Sequence, residues 1–296
     1  MRGMNKLPRQ KRVEIISQLV EGMSLRAVTR TTGVSINTVT KLLVDAGKAC
    51  SDYQDEHLRR LASKRVQVDE IWAFNYCKQR SVKTAKAAPD QAGDIWTWTA
   101  IDADAKLAIS WLVGPRDQDA ARFFMHDLAE RLSDRVQLTS DGFNSYPVAV
   151  WEAFGREVDY AQLVKKYGPS PEPAGRYSPA QCIGAEKRRR IGTPDMDEVS
   201  TSYVERANLT MRMHMRRFTR LTNGFSKKAE NHAYAVALHF MAYNYARIHK
   251  TLKCSPAMAA GVTDKLWDVI DIVRMIEDWE ARQDFSLRVP VAGHPV

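Results

Sequence analysis

A mixed α/β domain preceded by a small all-α module is the fold class this sequence predicts, and three observations predict it. Short β-branched runs recur between residues 66 and 164. From the third run onward they alternate with amphipathic helical stretches. Residues 10–46 show helical periodicity broken twice at glycine. At 296 residues the chain has room for one large domain or two unequal ones, and 44% hydrophobic residues suffice for a well-buried core.

The N-terminal module comes first in the chain. Val13, Ile16, Leu19 and Val20 mark a helix closed by Gly22. Ser24 caps a second helix through Leu25, Ala27 and Val28, which Gly33 ends; Ser35 caps a third that holds Ile36, Val39, Leu42 and Leu43. Helix, short glycine turn and helix is the layout of a helix-turn-helix, expected as a domain over residues 1–47. In that layout the third helix carries Asn37, Thr38 and Lys41 toward a DNA major groove. Arg26 and Arg30, with Lys11 and Arg12 before them, meet phosphates. Residues 48–65 are highly charged with few apolar anchors and fit a linker or a solvated helix.

The central region, residues 66–250, predicts strands over Val66–Asn75, Asp94–Asp102, Lys106–Val113, Val136–Thr139 and Val158–Val164. Helices are expected over Asp117–Leu132, where Ala121, Phe124, Leu128 and Leu132 share a face, around Tyr146–Phe154, and over Ser202–Arg220. This order predicts a mixed sheet with helices on both faces, the order found in ribonuclease H-like folds. Residues 168–200 read as a long irregular segment containing Lys187, Arg188, Arg189 and Arg190. Residues 251–296 are expected to supply an amphipathic helix over 264–280 that packs on the core, then a disordered tail from 285 with Pro290 and Pro295. Trp72, Trp96, Trp98 and Trp111 belong by default to the core rather than to base stacking.

Three acidic residues carry the chemistry. Asp69 is a charge inside an otherwise apolar strand, which is rarely left there unless it is paired or binds metal. Strand alternation turns its neighbour Glu70 to the opposite face, so only one of the two is expected to reach a site. Asp141 follows the fourth strand and precedes Gly142, where the backbone turns away and a pocket can open. Glu205 opens the arginine-rich helix, with Asn208, Arg212 and Arg216 on the same helical face and suited to phosphate contacts. Hard cations take carboxylate oxygens. Two Mg²⁺ ions about 3.5–4 Å apart, with Mn²⁺ as a substitute, stabilise both oxygens of an in-line displacement at a phosphodiester. One Asp is expected to bridge the ions, while the other Asp and the Glu each hold one. Water attack then frees a 3′-hydroxyl, which attacks a target strand. The net charge of +9 and pI near 9.4 suit double-stranded DNA as the partner.

No apolar run approaches the ~20 residues of a membrane span, and the basic N-terminus has no apolar core after it, so a cytoplasmic, nucleoid-associated protein is expected. Cys50, Cys77, Cys182 and Cys254 form no metal-ligand spacing and no disulfide framework.

With these residues in view, the chain resembles the DDE transposases of bacterial insertion sequences, specifically the IS-one family. The resemblance covers residues 66–250 and is carried by VDEIW with Asp69, TSDG with Asp141, and YVERANLTMRMHMRRFTRLTNGFSKK with Glu205. Arg212, two helical turns past Glu205, matches the basic residue that follows the glutamate in DDE enzymes, and NHAYAVALHFMAYNYARIHKTL resembles the closing helix of such domains. Relatives often add an N-terminal zinc finger, which this chain lacks. The resemblance implies Asp69, Asp141 and Glu205 as catalytic metal ligands, binding to terminal inverted repeats, end cleavage and strand transfer, and a homo-oligomer holding two DNA ends. A same-fold nuclease that cuts without joining, and a DNA-binding regulator with an inactive catalytic domain, remain open alternatives.

Overall fold

The computed structural model describes residues 6–168, 181–219 and 223–286. At its centre lies a six-stranded mixed sheet in the order β3-β2-β1-β4-β5-β6. β1 (Arg65–Asn75), β2 (Gly93–Asp102) and β3 (Ala108–Gly114) form an antiparallel meander. β4 (Val136–Ser140) runs parallel to β1, and β5 (Val158–Tyr167) parallel to β4. β6 (Cys182–Ile191) returns antiparallel along β5. The helices are α1 (Arg9–Val20), α2 (Leu25–Thr32), α3 (Ile36–His57), α4 (Gln118–Arg131), α5 (Tyr146–Phe154), α6 (Ser202–His214), α7 (Ala229–Met241), α8 (Pro256–Ala259) and α9 (Val269–Ser286). Three antiparallel strands, two parallel ones and helices on both faces make the predicted ribonuclease H-like α/β fold.

Side-chain alternation along β1 divides the core. Val68, with Trp98 and Ala100 of β2, packs against Phe124 of α4 and Tyr146 of α5. Ile71 and Ala73 face the other way and join Val204, Ala207 and Met211 of α6 and Phe240 of α7. Asp69 and Gln67 share this second face, and Glu70 belongs to the first. Trp98, fully buried, donates from Nε1 to the Pro115 carbonyl at 3.1 Å, which is the core role expected of it.

The caps and turns of the N-terminal helices form where the sequence predicts them. Ser24 and Ser35 accept from the N–H groups of Ala27 and Thr38, at 3.1 and 3.2 Å. Gly33, at φ +71°, ends α2 in the left-handed region. α3 then runs 22 residues to His57, so residues 48–57 are helix rather than linker. Nor is that stretch solvated all round: Ala49, Cys50 and Gln54 are buried. Gln54 donates to the Ala237 carbonyl of α7 at 3.2 Å and accepts from Asn244 at 3.3 Å. Asn244 also bonds the N–H and C=O of Ala108 on the edge strand β3, each at 2.9 Å. One chain of buried amides therefore ties α3 to the sheet, and each polar group in it has a partner.

Three sequence expectations change. Arg12, expected near phosphates, is buried and ion-paired with Glu277 and Glu280 of α9, because α9 lies along α1 and brings two carboxylates to it. Residues 182–191, expected to be irregular, form β6, an edge strand exposed on both sides that backbone pairing with β5 holds in place. The helix expected to reach Arg220 stops at His214, and Arg216–Phe218 form a 3₁₀ turn that tucks Met215 and Phe218 into the core. Arg220 and the tail residues Pro290 and Pro295 lie outside the described residues, while α9 extends to Ser286. No helix among the described residues is long and apolar enough to cross a membrane.

α3 and α7 approach most closely at Gly47, where an added Cβ would meet the Tyr234 Cβ at 2.2 Å and its Cα at 2.5 Å. Gly47→Ala is expected to cost about 1–3 kcal/mol, the range for overpacking a close contact, read as a lowered urea midpoint of the full chain. An unchanged midpoint would mean that these helices are free to part.

Candidate active site

Parallel pairing of Val68 with Ser140 brings the end of β4 beside the middle of β1, so Asp141 emerges next to Asp69. Asp141 is fixed by its own turn. Its Oδ1 accepts from the Phe143 N–H at 2.9 Å, and its carbonyl accepts from Ser140 Oγ at 2.8 Å and from the buried Gln162 Nε2 at 2.9 Å. Asp69 Oδ2 accepts from Asn208 Nδ2 at 2.8 Å. Glu70 joins them: oxygens of Asp69, Glu70 and Asp141 all lie within 4.8 Å of one another. The expectation that only one of Asp69 and Glu70 reaches the site is thus overturned. Alternation starts their side chains on opposite faces, but β4 stops pairing with β1 at Val68, and in the space beyond it an oxygen of each reaches the other and Asp141.

Glu205 comes to the site on α6, and β1 sets the position of that helix. Gln67 Oε1, two residues before Asp69, accepts from the N–H groups of Tyr203 and Val204, at 2.8 and 3.2 Å. These first-turn donors have no partner inside their own helix. Glu205 Oε1 accepts from Thr201 Oγ1 at 2.5 Å and pairs with Lys165 of β5. Its carboxylate therefore faces the crevice but is held toward β5, apart from the cluster of three. Burial is the largest single influence on Lys165 and disfavours its charge, but the bond to Glu205 and the negative charges around it together outweigh burial, so the Lys165 pKa lies above its usual value.

The electrostatics follow from crowding like charges in a half-buried place. Burial, then the Asp141 charge, pushes Asp69 up to about 6, against the hydrogen bonds from the Glu70 backbone and Asn208. Glu70 rises to about 8 for the same two reasons, although Arg116 opposes the rise. The buried Tyr146 hydroxyl is pushed well up by burial and by the facing Glu70. Glu70 Oε1 and the Asn208 Oδ1 are buried acceptors without a hydrogen-bond partner. Hard oxygen donors, mutual repulsion and an unused acceptor are what a divalent cation would relieve, so the residues fit such an ion.

Sequence reasoning missed Arg116, which no motif signals because it lies in the short connection from β3 to α4. Its Nη2 is 3.6 Å from Glu70 and 3.8 Å from Asp141, and its guanidinium stacks over Phe143 at 3.9 Å. The expected DNA contacts fall into separate groups. Asn208 is buried with its amide on Asp69, so it orients a carboxylate and is closed to DNA. Arg212 is half-buried on α6, and Arg216, beyond the helix end, is exposed. Arg216 and Arg26 line one cleft of about 680 Å³ between the N-terminal helices and the end of α6. Arg26, Arg30, Asn37 and Lys41 are exposed and Thr38 is half-exposed; Lys41 pairs with Asp45 at 2.5 Å. On β6, Lys187 and Arg189 pair with Leu163 and Ala161, which places them on the Asp69 face. Lys187 donates to the Met196 carbonyl at 2.5 Å, Arg188 to Glu186 at 2.8 Å, and Arg190 to Gln162 at 2.8 Å.

Among solved structures, the chain is similar to the piggyBac transposase in its synaptic complex with hairpin DNA, at 11% identity over 98% of this chain and 76% of that one, with a TM-score of 0.43. It is also similar to the Mos1 transposase in its paired-end complex with the left transposon end, at 16% identity over 53% of this chain and 61% of that one, TM-score 0.22. A third is the Mos1 mariner paired end complex with Mn, at 17% identity over 52% and 59%, TM-score 0.21. No protein-family model matches the chain, and no curated protein matches it.

A carboxyl whose pKa is higher in the folded than in the unfolded chain binds more protons when folded, so stability falls as pH climbs between the two values. For Glu70 that window runs from the ordinary carboxyl range to about 8. The metal-free protein is therefore expected to lose melting temperature between pH 5 and 8, and Glu70→Gln to lose less over the same span. Equal losses in the two proteins would contradict the assignment.

Proposed function

We propose that this chain is a transposase of the kind carried by bacterial insertion sequences, an enzyme that binds the ends of a mobile DNA element, cuts them and joins them to a target strand. The observation that supports this most is the clustering of Asp69, Glu70 and Asp141 oxygens within 4.8 Å where β4 ends beside the middle of β1, with Glu205 near them on α6. Asp69 and Asp141, with Glu205, would hold divalent cations, Mg²⁺ by preference. Bound there, such ions supply Lewis-acid stabilisation of the attacking and departing oxygens of a phosphodiester.

The chain's own residues do the rest. Asn208 fixes the rotamer of Asp69, and the turn at Phe143 fixes Asp141, so the two carboxylates keep their spacing without a ligand between them. Lys165 and Thr201 fix the position of Glu205 beside the crevice. Lys187 and Arg189 extend the same face along β6 and lie where a DNA backbone would pass. The exposed Asn37 and Lys41 at the start of α3, with Arg26 and Arg30 on α2, form a second surface, the one offered to a specific DNA sequence. Two DNA ends handled together call for at least two copies of the chain.

The test is strand cleavage and joining on labelled duplex carrying the element's own ends, in Mg²⁺ or Mn²⁺. Asp141→Asn and Glu205→Gln are each expected to lower both steps by about 100-fold or more, in the range for deleting one electrostatic partner of a transition state, while DNA binding persists. Binding without cleavage by the wild-type chain in either metal would favour a DNA-binding regulator. Cleavage without joining would favour a nuclease of the same fold.

A further inference from the structure

Arg116 is held more firmly than a surface arginine needs to be. Its backbone lies between two anchors: the preceding Pro115 carbonyl accepts from the buried Trp98 indole at 3.1 Å, and the following Asp117 caps α4 by accepting from the Ala120 N–H at 2.9 Å. The guanidinium carbon lies 3.9 Å from the centre of the Phe143 ring and 5.0 Å from that of Trp96. Stacking of this kind fixes the plane of the guanidinium and leaves its edge free.

What that edge meets is unusual. The two carboxylates it faces, Glu70 at 3.6 Å and Asp141 at 3.8 Å, are near enough to feel its charge and too far for hydrogen bonds. A guanidinium whose purpose was to neutralise Glu70 would close to hydrogen-bond distance on that buried group, since a bidentate contact is worth most there. The ring of Phe143 keeps it back instead. Its side chain is 31% exposed at the rim of the crevice, whereas that of Glu70 is 1% exposed beneath it. Cations on Asp69 and Asp141 would remove the need for Arg116 as a counter-charge to Asp141, leaving a rigid donor fork aimed into the crevice beside them.

We propose that Arg116 is a phosphate-binding residue of the active site, gripping a DNA backbone phosphate that lies across the Asp69–Asp141 crevice, with the Phe143 and Trp96 rings as the platform that keeps it aimed. This rests on DNA being the substrate. It assigns Arg116 a direct contact, distinct from the carboxylates that would hold metal.

The test compares the full-length wild-type chain with Arg116→Gln and Arg116→Lys, each first shown to melt as the wild type does. Duplex DNA binding is measured against salt concentration in Ca²⁺, and strand cleavage is measured separately in Mg²⁺. Each phosphate contact adds about 0.9 to the slope of log K against log salt, so Arg116→Gln is expected to lower that slope by about this amount and to slow cleavage by about 100-fold. Arg116→Lys is expected to keep the slope and lose most of the rate, because it keeps the charge without the planar fork. An unchanged slope in Arg116→Gln, or full recovery of rate in Arg116→Lys, would overturn the proposal. A wild-type chain that binds DNA but cuts none would overturn the transposase reading, and the slope would still decide Arg116.

Discussion

Repulsion among three carboxylates gathered where β4 ends beside the middle of β1 is the constraint on which the rest of the site depends. Oxygens of Asp69, Glu70 and Asp141 lie within 4.8 Å of one another, and burial together with the Asp141 charge pushes both Asp69 and Glu70 up. The surrounding contacts limit that repulsion without removing it. Asn208 gives Asp69 one neutral donor, the Phe143 N–H gives Asp141 another, and Arg116 offers charge at a distance. None of these replaces a cation bound between carboxylates. Crowded oxygen donors of this kind are what a divalent cation would relieve.

The fold supplies the rigidity that such a site demands. Gln67 links β1 to the first turn of α6, so the strand that carries Asp69 also places the helix that carries Glu205. Gln162 ties the loop after β4 to β5 and, through Arg190, to β6. The Gln54–Asn244–Ala108 chain of amides joins α3 to the sheet edge. The N-terminal helices are therefore coupled to α7 and β3 by hydrogen bonds as well as by packing.

Much of the architecture was legible in the sequence because burial imposed a period on it. β1 to β5, α4 and α5 all occur within a few residues of their expected bounds, since each has an apolar face that only one secondary structure can bury. β6 was illegible for the opposite reason. Its Lys-Arg-Arg-Arg run buries nothing, and its strand form comes from pairing with β5. The end of α6 was likewise hidden, because Arg212–Arg217 has good helical propensity and only the packing of Met215 and Phe218 interrupts it. Arg12 looked like a phosphate contact because its partners, Glu277 and Glu280, lie at the far end of the chain.

Among the site residues, Asp69 and Asp141 could be found as charges out of place, and Glu205 from the helix it opens. Glu70 was set aside by a rule that holds within a sheet and fails where a neighbouring strand has ended. Arg116 left no pattern at all, since its role depends on a stack with Phe143 and Trp96 that only the folded chain assembles. The most direct measurement of the central claim is the melting temperature of the full chain against Mn²⁺ concentration at pH 5 and pH 8, for the wild type and for Asp69→Asn. Carboxylates that wait for a cation predict a saturable rise in the wild type, larger at pH 8 because protons must leave before metal binds, and little rise in Asp69→Asn. No rise at either pH, or an equal rise in both proteins, would contradict it.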